Sequence, residues 1–225
     1  MRPMLTLTTA LALAAPAMAQ VQITEWMYTG NSGEYVEFTN LGNSAVNFSG
    51  WVYDDDSRFS TVAAGGFSLS ALGLVQPGES VLITESDATV FRTNWHLPSS
   101  VKVLGGYTNN LGRADEINLF DGSGVLVDRL TYGDTLLPGT IRTQTAGGTP
   151  VSLAALTAQT VQAGQWVLSA TTDVYGSTVA NTGDVGNPGL FTLAPVPEPE
   201  TYALMLAGLG LIGAIARRRS GAGAA

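Results

Sequence analysis

Residues 21–40, VQITEWMYTGNSGEYVEFTN, decide the fold class of this 225-residue chain. Apolar and polar side chains alternate in residues 21–28 and again in residues 34–40, and this period of two is typical of half-buried strands. A Gly-Asn-Ser-Gly turn at residues 30–33 separates the two predicted strands. The alternation predicts one face of the first strand made of Val21, Ile23, Glu25 and Met27. In the second strand it predicts Val36 and Phe38 on the apolar face, with Tyr35 and Glu37 on the other.

Short strands continue along the chain, with turn residues about every ten positions. Asp121-Gly-Ser-Gly124 joins two of them in the clearest hairpin of the sequence. Ser86 or Asp87 is positioned to cap a short helix that ends near Asn94. This pattern predicts an all-β fold, a β-sandwich. The strands are predicted at residues 21–28, 34–40, 45–53, 67–74, 80–85, 101–104, 115–121, 124–132 and 165–168, and the signal fades from residue 138 to residue 193.

Several short motifs resemble the bacterial form of the lamin tail domain. They are Ile23-Thr-Glu25, Gly33-Glu-Tyr-Val-Glu-Phe-Thr-Asn40, Ser49-Gly-Trp51, Gln76-Pro-Gly-Glu79 and Gly183…Asn187-Pro-Gly189. Their order and spacing carry the resemblance, which is close over residues 21–134 and looser over residues 135–190. The resemblance implies an immunoglobulin-like β-sandwich, here expected over residues 20–192, and a non-catalytic module.

The N-terminal residues 1–19 have the layout of a secretory signal peptide. Arg2 precedes an apolar run at residues 5–15, and the small residues Ala17 and Ala19 stand just before Gln20. A basic start, an apolar centre and an A-x-A site are the features that the Sec machinery and signal peptidase recognise. We therefore expect a mature chain that begins at Gln20.

The C-terminal residues combine a proline-rich linker, an apolar segment and a basic end. The linker, residues 193–201, contains Val196, Pro197, Glu198, Pro199 and Glu200. Residues 202–216 follow without a charge, and as a helix they would span roughly 22 Å, short of the ~30 Å hydrocarbon core of a bilayer. Snorkelling arginines or local thinning can close that gap. The pattern predicts a transmembrane helix over residues 202–216 and a basic cytoplasmic tail over residues 217–225, which begins with the membrane stop Arg217, Arg218 and Arg219.

This arrangement resembles the PEP-CTERM sorting signal of exported bacterial proteins. The resemblance covers residues 196–219 and implies recognition by an exosortase in the inner membrane. Cleavage near the Pro-Glu-Pro motif would then end a transient anchoring and deliver the protein to the cell envelope or the extracellular space. Family members often have Ser or Ala after the second proline, where this chain has Glu200. The resemblance also implies a Gram-negative, polysaccharide-producing bacterium and makes exopolysaccharide the expected partner.

The charge and cysteine content exclude several function classes. The chain has 18 acidic and 10 basic residues, and two glutamates and four arginines of these lie in the terminal segments, so residues 20–195 carry 16 acidic and six basic side chains. Such an acidic domain is poorly suited to binding phosphates, which excludes nucleic acid as the expected partner. The absence of cysteine excludes disulfides, thiolate nucleophiles and cysteine metal sites.

Few residues suggest catalysis. His96 is the only histidine, and no G-x-S-x-G elbow accompanies it. Glu34 and Glu37 are three apart on a strand and should diverge, as should the adjacent Asp115 and Glu116. Glu25 falls on the predicted apolar face, where a carboxylate needs hydrogen bonds or an arginine partner. The sequence therefore predicts no catalytic residue.

Two weak ligand signals remain. Asp54, Asp55 and Asp56 form a carboxylate cluster that suits Ca²⁺, but three acids supply only part of its 6–8 oxygen ligands, and a solvated turn that ends a strand explains them better. No other cofactor is expected. Aromatic side chains on outward faces can stack on sugar rings. Trp26 and Tyr35 are the main candidates and Tyr28 and Tyr53 the further ones, but ordinary strand positions on a half-buried sheet explain these residues better.

The sequence as a whole predicts a non-enzymatic, exported protein that is sorted by its C-terminal signal. We expect a structural or adhesive role at the cell surface or in an extracellular matrix, in association with exopolysaccharide. The alternatives are a carbohydrate- or Ca²⁺-binding module and, more distantly, an unrecognised hydrolase.

Overall fold

The structure is a computed structural model that describes residues 20–55, 66–135, 137–157, 165–193, 206–209 and 212. Strands dominate these residues. In chain order they are β1 Val21–Met27, β2 Tyr35–Asn40, β3 Val46–Asn47, β4 Val52–Asp54, β5 Phe67–Ser68, β6 Leu74–Val75, β7 Ser80–Thr84, β8 Lys102–Gly105, β9 Asp115–Phe120, β10 Leu126–Tyr132, β11 Gly148–Pro150, β12 Trp166–Leu168, β13 Thr178–Val179 and β14 Val185–Gly186. The helices are α1 Ala88–Trp95, α2 Leu153–Leu156 and a 3₁₀ turn at Ser70–Leu72.

Two sheets make up an immunoglobulin-like sandwich. The main sheet has the strand order β12-β11-β1-β2-β7-β8, and the small sheet has the order β10-β9-β4-β5. All pairs are antiparallel except β7 and β8, which run parallel. Two further two-stranded ribbons, β3 with β6 and β13 with β14, lie beside them. The predicted all-β sandwich is therefore confirmed.

The core between the sheets is rich in aromatic side chains. Trp26 of β1 packs edge-on against Trp166 of β12, with ring centroids 5.2 Å apart, and lies equally close to Tyr132 of β10. Val36 and Phe38 of β2 belong to the same buried cluster. Full burial of each large apolar side chain contributes about 1.5–3 kcal/mol. These residues hold the two sheets face to face.

A β-bulge in β1 changes which side chains enter that core. Ile23 pairs with Phe38 and Trp26 pairs with Val36, but between them Glu25 pairs with Glu37, so Thr24 is an extra residue. A bulge shifts the alternation of faces by one position. Ile23 and Trp26 consequently face the core, whereas Glu25 turns to the opposite side of the sheet. The predicted face that combined Ile23 with Glu25 is wrong for this reason.

The outer face of the main sheet is also covered. Tyr35 of β2 makes edge-on contacts with Phe91 and Trp95 of α1, and these residues form a second buried cluster with Met27 and Ala180. The helix begins where predicted, because the Asp87 carboxylate accepts hydrogen bonds from the amides of Thr89 and Val90 at 2.8 and 3.1 Å. The main sheet is thus buried on both faces.

The predicted strand at residues 45–53 is wrong as a single element. It divides into β3 and β4, which pair in different sheets. Between them the Trp51 amide donates to the Phe48 carbonyl in a tight turn, with Gly50 at a φ of 77°. The segment 67–74 is likewise divided, by the 3₁₀ turn. The hairpin of β9 and β10 is confirmed.

The two terminal signals fall largely outside the described residues. The predicted signal peptide 1–19, with Ala17 and Ala19, the sorting motif 196–200 and the arginines 217–219 all lie there. Of the predicted transmembrane segment 202–216 the structure describes residues 206–209 and 212, which are helical. Within the described part of the chain, no helix combines the length and the apolar character that a membrane crossing requires.

Candidate functional site

Two carboxylates, Glu25 and Glu37, lie side by side on the outer face of the main sheet. They are register partners on β1 and β2, and each is 1% exposed. The Glu25 Oε1 accepts hydrogen bonds from the Asn187 amide at 3.1 Å and from the Ser169 hydroxyl at 3.3 Å. Its Oε2 is buried and makes no hydrogen bond with the described residues. This pair is the least expected feature of the interior.

The Glu37 carboxylate has a richer set of donors. Its Oε1 accepts from the Thr24 hydroxyl at 2.6 Å and more weakly from Thr39 at 3.4 Å, and its Oε2 accepts from the Gly189 amide at 2.7 Å. The Thr39 hydroxyl also bonds to that of Ser80 on β7 at 2.7 Å. A network of hydroxyl groups therefore surrounds Glu37, whereas Glu25 interacts with the Asn187 amide and with the hydroxyls of Ser169 and Tyr35.

Burial decides the proton affinity of both groups. Loss of solvation, reinforced by the neighbouring charge of Glu37, raises the pKa of Glu25 from 4.5 to about 8. Burial also raises the pKa of Glu37 to about 7, against the opposing effect of its hydrogen bonds from Thr24, Gly189 and Ser80. Glu25 has the higher pKa of the two, although hydrogen bonds from Asn187, Tyr35 and Ser169 oppose the effect of its burial. The adjacent Tyr35 has a pKa well above 10, first because of burial and then because of the Glu25 charge.

The chain segment of residues 183–190, which we call the strap, contacts both carboxylates. The Asp184 carboxylate fixes one end by accepting from the amides of Asn31 and Ser32 at 3.0 and 2.6 Å. Asn187 closes the turn at the other end, where its side-chain amide donates to the carbonyls of Tyr175 and Leu190. The main-chain amide of Asn187 donates to Glu25, and that of Gly189 donates to Glu37. The strap thus closes the site to solvent.

The pair is arranged to hold protons and backbone amides, and it is closed to a substrate. Within the described part of the chain neither carboxylate meets a lysine, arginine or histidine, and the ion pairs found there, Lys102–Glu79 and Arg113–Asp134, lie elsewhere. Buried carboxylates without a basic partner are costly when ionised. Their hydrogen bonds to main-chain amides make them fold-holding groups that are sensitive to protonation.

A second buried carboxylate, Glu34, lies just before β2 at one end of the sandwich. It accepts a hydrogen bond from the Leu111 amide at 2.8 Å, and burial raises its pKa to about 8. Asp55, at the same end, accepts from the Asn109 side chain at 3.3 Å, and burial raises its pKa as well. Glu34 and Glu37 therefore face different surroundings, in agreement with the predicted divergence.

The predicted calcium site at Asp54, Asp55 and Asp56 stays a prediction. Asp54 ends β4 and Asp55 follows it, whereas Asp56 lies outside the described residues. Among the residues that are described, no three histidine, aspartate or glutamate side chains are grouped so that they could hold a metal ion.

The predicted aromatic platform is wrong for its main candidates. Trp26 and Tyr35 are both fully buried, Trp26 because the bulge turns it into the core and Tyr35 because α1 covers its face. Tyr53 is buried as well, and Tyr28 is only 9% exposed. His96 has a structural position: with a φ of 54° it ends α1 as a left-handed cap, its amide donating to the carbonyls of Arg92 and Thr93.

A shallow cleft of about 410 Å³ opens beside the strap. Ser80 and Gly189, both linked to the hydroxyl network of Glu37, form part of its wall. Glu79 lies at its edge in an ion pair with Lys102 at 3.0 Å. The cleft is lined by Gln76, Gly78, Glu79, Ser80, Ser100, Val101 and Gly189.

Comparison with protein families matches residues 14–134, which include β1 to β10, to the model of the Lamin Tail Domain. The chain belongs to this family. The lamin tail domain match contains Glu25 and Glu37 but ends before the strap. A second model, the PEP-CTERM protein-sorting motif, matches residues 195–220 and marks the chain as an exosortase-sorted exported protein. A search of curated proteins finds no significant match.

Sequence reasoning missed the carboxylate pair because its members come together only through the bulge and the strap. The signals that do exist are two glutamates on neighbouring predicted strands and an Asn-Pro-Gly turn far downstream. The hydrogen bonds that join them span 162 and 152 residues of sequence.

Proposed function

We propose that this lamin tail domain protein acts outside the inner membrane as a non-catalytic structural or adhesive component associated with exopolysaccharide. The observation that carries the proposal is the combination of a sorting motif at residues 195–220 with a lamin tail domain. Both belong to non-catalytic families. The buried carboxylates support the same function, because Glu25 and Glu37 are engaged with main-chain amides and closed to a substrate.

On this proposal the chain has five functional parts. A signal peptide at residues 1–19 directs Sec-dependent export and is cleaved before Gln20. The folded domain follows at residues 20–192, then a linker at residues 193–201 with the Pro-Glu-Pro motif. An apolar helix at residues 202–216 anchors the protein transiently, with residues 217–225 as its cytoplasmic tail, until an exosortase cleaves near the motif.

Intact-mass and terminal-peptide analysis of the native protein tests this processing. The expected mature form begins at Gln20 and lacks peptides that contain Arg217. A Pro197→Ala/Pro199→Ala variant should retain the C-terminal peptides and accumulate in the inner-membrane fraction, whereas the matched Pro98→Ala control should be processed normally. Recovery of C-terminal peptides from the secreted wild-type protein would overturn the cleavage step.

The matrix role has its own test. The full-length gene product should cofractionate with cell-surface polysaccharide, and a deletion strain should lose cohesion or surface retention of that polysaccharide. Complementation with the Pro197→Ala/Pro199→Ala variant should fail to restore it. A deletion strain with unchanged polysaccharide retention, while the protein itself is correctly secreted, would overturn the structural role and leave the processing intact.

A second candidate function is the binding of a hydroxyl-rich ligand such as a glycan in the cleft beside the strap. Its lining includes Ser100, Gln76 and Glu79, whose hydroxyl, amide and carboxylate are the kinds of hydrogen-bonding group that orient polar ligands. Glycan-array binding that is saturable and lost in a Gln76→Ala/Ser100→Ala variant would support it. A Val90→Ala variant of the exposed face of α1 is the control, and equal binding by both variants would exclude the cleft.

A further inference from the structure

We propose that Glu25 and Glu37 form a proton-controlled latch that holds the strap, residues 183–190, on the outer face of the main sheet. In the closed state each carboxylate accepts one strap amide, from Asn187 at 3.1 Å and from Gly189 at 2.7 Å. This inference goes beyond the proposed function, because it assigns a conformational device to a part of the chain that the family match does not reach.

The geometry of the pair makes its charge state critical. The two glutamates are register partners on adjacent strands, and side chains directly opposite each other on a sheet lie within about 5.5 Å at Cβ. Like charges at that separation in a dry site repel strongly, so one of them retains a proton in the closed state. The buried Oε2 of Glu25, which makes no hydrogen bond among the described residues, is the least favourable place for a charge.

The groups that face the pair do not neutralise it. Tyr35 on β2 is neutral, and the charged group that the strap brings nearby is Asp184, a further acid. The remaining contacts, Thr24, Thr39, Ser80 and Ser169, are hydroxyl donors. Nothing described in these surroundings carries a positive charge that would hold two ionised carboxylates together.

Opening of the strap is the simplest way to admit water to the pair. Apart from the carboxylate pair, few hydrogen bonds tie the strap to distant segments: Val185 bonds to the main chain of Thr145 and Gly147, and Asp184 accepts from the amides of Asn31 and Ser32. The strap belongs to a two-stranded ribbon, β13 with β14, and does not extend the main sheet. It can therefore lift while the sandwich stays folded.

The pH window follows from linkage. In the open state the two carboxylates titrate near their ordinary value of 4.5, whereas in the closed state they titrate near 7 and 8. Between pH 4.5 and about 8 the closed state therefore binds more protons than the open state. It is favoured at low pH and lost as the pH rises to about 8. Each pH unit within the window increases the open population about tenfold per proton released.

Hydrogen exchange read by mass spectrometry tests the latch on the full-length chain in a mild detergent. After correction for intrinsic exchange, peptides that cover residues 183–190 should open at least about tenfold more often at pH 8 than at pH 5. Peptides of the β9–β10 hairpin should change far less. In a Glu25→Gln/Glu37→Gln variant the exchange of the strap should change less than about twofold with pH. The matched control Glu85→Gln, at an exposed residue just after β7, should behave like wild type.

Two results would overturn the proposal. One is a strap whose corrected exchange in the wild type is the same at both pH values, which shows that the pair does not govern it. The other is an equal rise in the strap and the hairpin, which shows a global effect. Should the double variant fail to fold, this comparison within the wild type still decides, and the single Glu37→Gln variant should halve the logarithmic change.

Discussion

Glu25 and Glu37 are opposite each other on neighbouring strands, and each accepts a hydrogen bond from a different amide of the same Asn187-Pro188-Gly189 turn. Two acids in one dry site thus hold a segment that is more than 150 residues away in sequence. The arrangement stabilises the fold only while at least one proton is present. It links the closure of the outer face to the acidity of the surroundings.

Stability of the whole domain should fall as the pH rises from about 5 to 8. Glu25, Glu34, Glu37 and Asp128 all have pKa values raised by burial, to about 8, 8, 7 and 7. A group whose folded pKa lies above its unfolded value stabilises the protein at low pH and loses this contribution as the pH passes the folded pKa. Asp134 and Asp173 have lowered pKa values, so they lose their stabilising contribution only in stronger acid.

Denaturant unfolding at a series of pH values measures this slope. Glu25→Gln should flatten it and should exceed the wild type in stability at pH 8 by about 1 kcal/mol or more, since one pKa unit corresponds to about 1.4 kcal/mol. The exposed Glu85→Gln variant is the control and should change the slope far less than Glu25→Gln, because the Glu85 charge only adds to the effect of burial on the pKa of Glu34. An unfolding free energy that is constant or rises from pH 5 to 8 would contradict the prediction.

Gly186 of β14 should not tolerate a larger residue. A Cβ atom there would lie 2.5 Å from the Tyr35 hydroxyl and 3.1 Å from both Glu25 Oε1 and the Trp95 ring. Gly186→Ala should therefore push the strap off the carboxylates and cost about 2–3 kcal/mol, as overpacking does elsewhere. Thermal or denaturant unfolding measures the loss.

Gly183 provides the matched control for this change. A Cβ atom at Gly183 meets nothing within 4 Å, although its φ of 90° carries a backbone penalty of about 1–2 kcal/mol for Ala. In the Gly183→Ala variant the amides of Asn187 and Gly189 should therefore stay protected from hydrogen exchange. Equal loss of protection in the two variants would show that the packing of Gly186 against Tyr35 and Glu25 is unimportant.

The cap of α1 should contribute measurably to stability. Because Asp87 satisfies the amides of Thr89 and Val90, Asp87→Ala should cost about 1 kcal/mol, whereas Asp87→Asn should retain most of the capping. The helix presses Phe91 and Trp95 onto Tyr35, so the loss should appear in the cooperative unfolding of the domain. Alanine and asparagine variants of equal stability would contradict this role.

Local signals explain which parts of the fold could be predicted from the sequence. Alternation in residues 34–40, the Asp-Gly-Ser-Gly turn and the cap at Asp87 each act within a few residues, and β2, the β9–β10 hairpin and α1 form there. The short strands β11 to β14 lie in a region rich in Thr, Gly and Ala, where alternation is weak. They form because neighbouring main-chain groups pair with them, for example Gly148 with Trp26.

The candidate site could not be predicted, because one extra residue at Thr24 exchanges the faces of β1. Strict alternation puts Glu25 in the core with Ile23, whereas the bulge puts it beside Glu37. The same shift removes Trp26 from the surface, where the aromatic platform was expected. No local pattern marks the bulge, and its partner contacts come from Asn187, Gly189 and Asp128, which are distant in sequence.

Asp128 should be important because it joins the two sheets at this bulge. Its Oδ2 on β10 accepts a hydrogen bond from the Ile23 amide of β1 at 2.8 Å, and Oδ1 accepts from the Arg129 amide. Asp128→Ala leaves the buried Ile23 amide without its acceptor, which should cost about 1–3 kcal/mol in denaturant unfolding. Asp128→Asn is the matched variant, because it keeps an acceptor and removes the charge. Its loss of unfolding free energy should be smaller than that of Asp128→Ala. This loss should shrink further at pH 8, because the wild-type carboxylate is then ionised in a buried site. If the alanine and asparagine variants lose the same stability at both pH 5 and pH 8, the hydrogen bond to Ile23 does not hold the sheets together, and the bulge is stabilised by packing alone.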